Sequence, residues 1–178
     1  MHICIVNQLT NTAMKEEQNQ DVSKLVDLVK DVRSCMLITI EKYTDILAGR
    51  PMGISKIEED GTMWFFTKTT SQKVDEIEQN SQISLAIMSE SKNIYLMING
   101  TADLSYDYGK MKELWNPAMK AWFPEGLEDP DMMLIKVTPS EARYWDSSAS
   151  KMIVALNMVK AIVTGKEYNE GTHGKIRL

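Results

Sequence analysis

The stretch TMWFFTKTTSQKVDEIEQN, Thr62–Asn80, predicts a strand, a short polar loop and the start of a helix. Its strand contains three consecutive aromatic residues, Trp64–Phe66, which suit the pleated, half-buried surface of a sheet. The polar residues that follow end the apolar run. Val74 and Ile77 then recur at the spacing of one helix face. The stretch therefore places an aromatic strand directly before the first turn of a helix.

The predicted helix start carries groups suited to binding an anion. Thr69 and Gln72 are spaced as a capping box. Ser71 and Lys73 fall in the first turn, where unpaired backbone N–H groups and the helix dipole attract negative charge. A hydroxyl and an ammonium there could hold a phosphate, with the aromatic strand as an apolar wall. This combination favours a phosphorylated ring cofactor, although an ordinary solvated helix cap has the same residues.

The composition is that of a globular domain with a core of ordinary size. The chain has 178 residues, of which 43% are hydrophobic and 25% charged. Its formal net charge of −5 argues against a nucleic-acid backbone or an anionic membrane as the main partner. No run reaches the roughly 18 to 20 apolar residues of a membrane-spanning helix.

The cysteines and histidines give little basis for a metal or disulfide framework. Cys4 and Cys35 lack paired metal-ligand spacing, which predicts reduced thiols and a cytoplasmic location. His2 and His173 lie near opposite ends of the chain. We therefore predict no metal site and no histidine-based catalytic triad.

Three segments are predicted along the chain. Residues 1–20 are expected to form a flexible N-terminal extension, within which Met14 is a candidate start. Residues 21–165 are expected to form the folded domain, and residues 166–178 a loose polar tail. No internal repeat or low-complexity tract is present.

The folded domain is predicted to contain many short strands and few helices. Asp60-Gly61 predicts a hairpin that would bring Arg50–Met52 beside Thr67, and Gly100 predicts a bulge. The predicted strands other than the aromatic one are Cys35–Ile40, Arg50–Ile57, Ile83–Met88, Asn93–Leu104, Met132–Val137 and Glu141–Trp145. The predicted helices besides the one after the aromatic strand are Asp21–Arg33, Tyr108–Trp122 interrupted at Pro117, and Ser148–Thr164 ended by Gly165.

This order of elements favours an antiparallel barrel with helices packed outside it. Strands and helices do not alternate regularly enough for a doubly wound sheet. The sequence also lacks GxGxxG and GxxxxGK[ST], so neither a Rossmann nor a P-loop nucleotide site is supported.

Four stretches of the chain resemble the general stress protein 26 family, within the pyridoxamine 5′-phosphate oxidase-like flavin-binding proteins. They are Arg50-Pro51-Met52, WFFTKTTSQKVDEIEQN, Leu114–Pro130 and Val137–Lys151. The similarity covers about Val22 to Gly165. It implies a mainly β fold with flanking helices (α+β), an antiparallel split β-barrel of the FMN-binding type. It also implies a homodimer with FMN at the subunit interface.

The resemblance further implies which residues contact FMN. Arg50 and the residues after it match the strand that runs along the flavin towards its phosphate. Ser71 and Lys73 match the phosphate-binding loop and helix start, in agreement with the anion site inferred from the residue types. The full set of implied cofactor-binding residues is Arg50, Pro51, Met52, Gly53, Phe66, Thr67, Ser71, Lys73 and Tyr95.

Three departures from the oxidase branch bear on function. Gln72 stands where that branch has an arginine beside the phosphate, and Tyr95 stands where a glutamine is usual. The C-terminal Arg-x-His segment that grips the substrate of true oxidases has no counterpart, and His173 is not in that pattern. The missing arginine implies a lower affinity for FMN, and the missing Arg-x-His segment implies that the protein is not a true pyridoxamine phosphate oxidase.

Three functions remain compatible with the sequence. The first is an FMN-dependent oxidoreductase linked to the general stress response, with no assigned catalytic residue. The second is a flavin-binding carrier or sensor without turnover, and the third is a scaffold dimer that has lost flavin. Trp115 and Trp122 either wall the cofactor cleft or pack internally, and Asp146 and Lys151 have no assigned role.

Overall fold

The computed structural model describes residues 16, 19–89, 93–146 and 172–178. Two groups of predictions therefore lie outside the described residues. One is the flexible N-terminal extension predicted over residues 1–20, except for residues 16, 19 and 20, which are helical and correct that prediction. The other is the helix predicted over Ser148–Thr164, with Gly165 and Lys151.

The described chain forms one antiparallel sheet of eight strands that curls into a half-barrel. The strand order is β2-β1-β5-β6-β7-β4-β3, and β8 also pairs with β7. The strands are β1 Ser34–Ile40, β2 Leu47–Gly53, β3 Lys56–Ile57, β4 Met63–Lys68, β5 Gln82–Ser89, β6 Ile94–Ser105, β7 Met132–Asp146 and β8 Thr172–Arg177. This architecture confirms the predicted fold class.

Three α-helices accompany the sheet within the described residues. They are α1, residues 19–29, α2, Gln72–Gln79, and α3, Tyr108–Leu114. Asp107 caps α3, and Pro117 then begins a short 3-10 helix, Pro117–Ala121. The predicted interruption at Pro117 is therefore confirmed, since proline suits a first helical position but not a helix interior. No helix among the described residues combines the length and apolarity needed to span a membrane.

The main core lies between one face of the sheet and the helices α1 and α2. Inward-facing residues alternate with outward-facing ones along β1 and β5, as expected for strands with one buried face. Leu25 and Val29 of α1 are fully buried against this core. Cys35 is a free thiol in the same cluster, and burial raises its pKa to about 12, which disfavours the reactive thiolate.

Strand β7 corrects one prediction. The segments Met132–Val137 and Glu141–Trp145 were expected to be two strands, but they are halves of one strand of 15 residues. Pro139 lies between them, opposite Gly100, where the β6–β7 register shifts. The bulge predicted at Gly100 is confirmed, and it accommodates a proline that would otherwise interrupt the ladder.

The predicted strand Arg50–Ile57 is also corrected. It divides into β2, which pairs along its length with β1, and β3, of which Lys56 and Ile57 pair with β4. The hairpin at Asp60-Gly61 is real but short. Arg50–Met52 are therefore not brought towards β4 by hairpin pairing, and the curl of the sheet brings Pro51 and Met52 to a cleft shared with Thr67.

The C-terminal residues are more ordered than the sequence indicates. A loose tail is the wrong prediction for Thr172–Arg177, because this segment forms β8 and pairs with the second half of β7. Ile176 is buried in the main core. Only one residue of this strand is strongly apolar and buried, so its sequence carries a weak strand signal.

We expect Gly100→Ala to lower the free energy of unfolding by about 1–3 kcal/mol. A Cβ at this position would lie 2.3 Å from the backbone oxygen of Thr138 and 2.9 Å from the Cα of Pro139. Backbone atoms cannot move aside as a flexible side chain can. Urea unfolding followed by tryptophan fluorescence measures the effect. Gly53→Ala is the matched control, because nothing lies within 4 Å of the added Cβ there, and equal stability of the two variants would contradict the prediction.

Candidate functional site

A cleft of about 490 Å³ opens between β2, the end of β4, the start of α2 and the 3-10 segment after α3. This volume is within the range typical of small-molecule sites. One end of the cleft is polar and the other is apolar. Its lining residues are Pro51, Met52, Gly53, Ser55, Phe66, Thr67, Lys68, Thr70, Ser71, Lys73, Met119, Trp122 and Phe123. Seven of the nine predicted cofactor-binding residues are thus brought together.

The polar end is a cluster of one ammonium and two hydroxyls. Lys73 Nζ donates to Ser71 Oγ at 2.9 Å and to Thr67 Oγ1 at 3.2 Å. The two hydroxyl oxygens are 3.1 Å apart. Ser71 is the N-cap residue of α2, and its side chain makes no capping hydrogen bond. These donors converge at a helix N-terminus, which is an arrangement suited to a phosphate group.

The capping box predicted from Thr69 and Gln72 is wrong. The helix begins two residues later than that motif requires, since Ser71 is the N-cap and Gln72 the first helical residue. The Thr69 hydroxyl instead lies 3.3 Å from Asp131 Oδ1, and the Thr69 N–H donates to the Asp131 carbonyl. Thr69 therefore ties the loop before α2 to the chain before β7, which leaves the Ser71 hydroxyl in the cleft.

The pKa of Lys73 lies below its ordinary value. Burial of the ammonium is the largest cause, the positive charge of Arg50 adds to it, and the negative charge of Glu76 opposes it. The ammonium is therefore partly stripped of water and is close enough to both charges to be influenced by them. A desolvated cation interacts with an anion more strongly than a hydrated one.

Arg50 lies behind the cleft lining and not in it. Its Nη2 atom donates to Glu76 Oε2 at 2.8 Å, and its Nη1 atom donates to Thr39 Oγ1 at 2.7 Å. Thr39 Oγ1 in turn donates to the same Glu76 oxygen at 2.5 Å. Glu76 is fully buried, and its Oε1 atom has no hydrogen-bond partner within the described residues. The guanidinium is thus held by α2 and β1.

The apolar end of the cleft is an aromatic and methionine wall. Phe66 meets Trp115 edge-on with ring centroids 6.4 Å apart, and its ring lies 6.1 Å from that of Phe123. Trp122 lines the cleft with 62% of its surface exposed, whereas Trp115 packs from behind. Trp122 and Phe123 therefore wall the cleft, and Trp115 supports the wall.

Tyr95 does not reach this cleft. It lines a second, more open groove on the sheet, together with Met36, Met88 and Trp145. These four side chains are all at least 40% exposed. Pro51 lines both the cleft and the groove, so the two features are neighbours.

Three contributors to the site have no direct signal in the sequence. Glu76 and Thr39 complete the contacts of Arg50, and Met119 adds to the apolar wall. Alternation along β1 places Thr39 inward beside Leu37, and a buried carboxylate requires a cationic partner. A search for polar residues at inward-facing positions could therefore have found the Arg50, Thr39 and Glu76 set.

Within the described ranges, no group of three or more His, Cys, Asp or Glu residues could hold a metal ion. The described cleft lining likewise contains no histidine and no carboxylate. The donor set is instead one lysine with two hydroxyls, and the opposite wall is aromatic. This arrangement can hold a molecule with an anionic end and a flat apolar end, and it offers no general base of the His, Asp or Glu type.

Residues 20–169 match the model of one protein family, which is described as pyridoxamine 5′-phosphate oxidase like. The chain belongs to this family. Within the wider set of similar proteins, protein bli-3 of Neurospora crassa is 25% identical over 157 residues. That match covers 83% of this chain and 75% of bli-3.

Solved structures similar to this pyridoxamine 5′-phosphate oxidase-like chain share its fold. A protein from Jannaschia sp. CCS1 named after general stress protein 26 has a TM-score of 0.69 at 22% identity. That match covers 90% of this chain and 99% of the other. The general stress FMN/FAD binding protein of Xanthomonas citri is 27% identical with a TM-score of 0.61, covering 76% of this chain and 92% of the other.

Proposed function

We propose that this protein binds FMN in the cleft between β2, β4 and α2, and that it acts as a flavin-dependent oxidoreductase linked to the general stress response. The observation that carries the proposal is the Lys73, Ser71 and Thr67 donor cluster facing an aromatic wall across one cleft. Family membership and a flavin-binding relative from Xanthomonas citri support it.

The residues present fit a flavin mononucleotide at both ends. The Lys73 ammonium with the Ser71 and Thr67 hydroxyls would hold a terminal monophosphate. Met52, Phe66 and Trp122 would exclude water from the faces of the ring system. The compact polar end favours FMN over FAD, because FAD would have to pass a second phosphate and an adenosine through the same donors.

A bound flavin supplies hydride and electron transfer, and the protein supplies binding, orientation and a dry surface. The absence of a histidine or carboxylate among the described lining residues fits hydride transfer, which needs no side-chain base at the reacting carbon. The same observation fits a carrier or sensor that binds flavin without turnover. Anaerobic addition of NADPH separates the two, since only the oxidoreductase would bleach the bound flavin.

The departures from the oxidase branch favour a reaction other than pyridoxamine phosphate oxidation. His173 lies on β8 beside Trp145 and is exposed, away from the cleft lining. Gln72 at the start of α2 adds no positive charge to the FMN phosphate end, so one charged contact to that phosphate is missing. Without the Arg-x-His segment, a substrate phosphate would lack the cationic grip that the oxidase branch provides.

A homodimer with the cofactor at the interface is part of the proposal. The groove containing Met36, Met88, Tyr95 and Trp145 exposes large apolar side chains on one sheet face, and such patches are typical of subunit contacts. Because Pro51 lines both features, a subunit covering the groove would adjoin the cleft.

Cytoplasmic location remains a prediction from cysteine content.

We expect the purified protein to bind FMN saturably, with quenching of flavin fluorescence as the cofactor enters the aromatic cleft. Riboflavin, which has the same ring system and no phosphate, is the matched ligand and should bind at least tenfold more weakly, roughly the value of one charged hydrogen bond. Absence of FMN binding at about 1 mM would contradict the flavin proposal. Equal affinities would contradict the role of the polar end.

A further inference from the structure

We propose that Glu76 is the positioning residue of the anion site. Its buried carboxylate fixes Arg50 and α2 against β1, and it supplies a counter-charge to the Lys73 ammonium one helical turn away. The inference rests on the proposed anion site, and its first test does not require a bound flavin.

The geometry of the carboxylate supports the positioning role. Glu76 Oε2 receives hydrogen bonds from Arg50 on β2 and Thr39 on β1, while Glu76 itself belongs to α2. Three separate elements therefore meet at one oxygen atom. The N-terminus of α2 carries Ser71 and Lys73, and β2 carries Pro51, Met52 and Gly53, which line the cleft beside them. Glu76 thus sets the distance between the two sides of the cleft.

The charges around Lys73 support the electrostatic role. Glu76 follows Lys73 by one helical turn, and residues at this spacing lie on the same side of a helix. The groups that face Lys73 are the Thr67 and Ser71 hydroxyls, Arg50 from β2 and Glu76 from α2, with Lys68 also lining the cleft. Burial and Arg50 lower the pKa of Lys73, and Glu76 is the group that opposes them.

The first experiment measures the titration of Lys73 in the apoprotein. Lysines are reductively methylated with ¹³C, and the Lys73 resonance is identified by its loss in Lys73→Arg. We expect Glu76→Gln, which is isosteric and can still accept from Arg50, to lower the Lys73 midpoint, because the negative charge that opposes burial and Arg50 is removed. Thr39→Val removes the hydrogen bonds of Thr39 with Arg50 and Glu76 without changing a charge and should leave the midpoint in place. An unchanged midpoint in folded Glu76→Gln, or an equal fall in Thr39→Val, would overturn the electrostatic role.

The second experiment separates positioning from charge. Glu76→Asp keeps the negative charge but withdraws the carboxylate by one methylene from Arg50 and Thr39. We expect its Lys73 midpoint to stay near that of the wild type, while its affinity for FMN falls several-fold. Full retention of affinity in Glu76→Asp would overturn the positioning role.

The pH dependence of FMN affinity connects the two roles. Only the protonated Lys73 attracts the phosphate, so affinity should fall as pH rises through the Lys73 midpoint. In Glu76→Gln this fall should begin at lower pH by the same displacement that the apoprotein shows, and a fall at the wild-type pH would overturn the link. The affinity for riboflavin should not change with pH in either the wild type or Glu76→Gln. A wild-type protein that binds no FMN at any pH would refute the proposed function, whereas the apoprotein titration would still decide the effect of Glu76 on Lys73.

Discussion

Replacing Lys73 with alanine is expected to weaken FMN binding by roughly ten- to 150-fold and to leave riboflavin binding unchanged. A hydrogen bond to a charged group contributes about 1.5–3 kcal/mol, which corresponds to this range of affinities. Lys73 is the only lysine within the described cleft that donates to both Ser71 and Thr67. The loss should therefore be specific to the ligand that carries a phosphate.

Two variants control this prediction. Lys68→Ala removes a lysine that also lines the cleft but is exposed, so it should change FMN affinity much less. Lys73→Arg keeps the charge and should retain part of the affinity. Fluorescence titrations with both ligands at constant ionic strength measure all four proteins. Equal losses for FMN and riboflavin in Lys73→Ala would show that the lysine supports the cleft structurally and does not hold the phosphate.

The parts of the site that depend on neighbouring residues could be predicted from the sequence. Thr67, Ser71 and Lys73 lie within seven consecutive positions, so the strand, loop and helix start determine their proximity almost alone. The aromatic strand could also be predicted from local sequence. Aromatic residues favour strands, and Trp64 and Phe65 are buried on β4. Local geometry alone therefore brings together the residues at the polar end of the cleft.

The parts that depend on long-range pairing could not be predicted in the same way. Arg50 was expected beside β4, but β2 pairs with β1 and turns the guanidinium towards Glu76. Thr39 and Glu76 are separated by 37 positions, and nothing in either local sequence indicates the other. Strand β8 was missed for a related reason, since its position depends on the free edge of β7 and not on its own hydrophobicity.

The largest loss of stability is expected from Arg50→Met. This change leaves the Glu76 carboxylate buried without its cationic partner, and breaking a buried ion pair in this way costs about 3–5 kcal/mol. The Glu76 side chain is fully buried and that of Arg50 is 22% exposed, so solvent cannot compensate for the lost charge. In a chain of 178 residues the melting temperature should fall by roughly 6–20 °C.

The double variant Arg50→Met with Glu76→Met is expected to recover most of this loss, since a buried ion pair is often no more stabilising than well-packed apolar side chains.

Lys30→Met is the surface control. It breaks the pair with Asp27 on α1, where both side chains are more than half exposed, and should change stability little because water and salt screen that pair. Urea unfolding of the apoproteins at one protein concentration measures the four cases and avoids shifts due to association. Recovery of stability without recovery of FMN affinity would show that the ion pair is kept for the cleft and not for the fold. A double variant as unstable as Arg50→Met would instead show that Arg50 contributes through its own packing, and that Glu76 tolerates the loss of its partner.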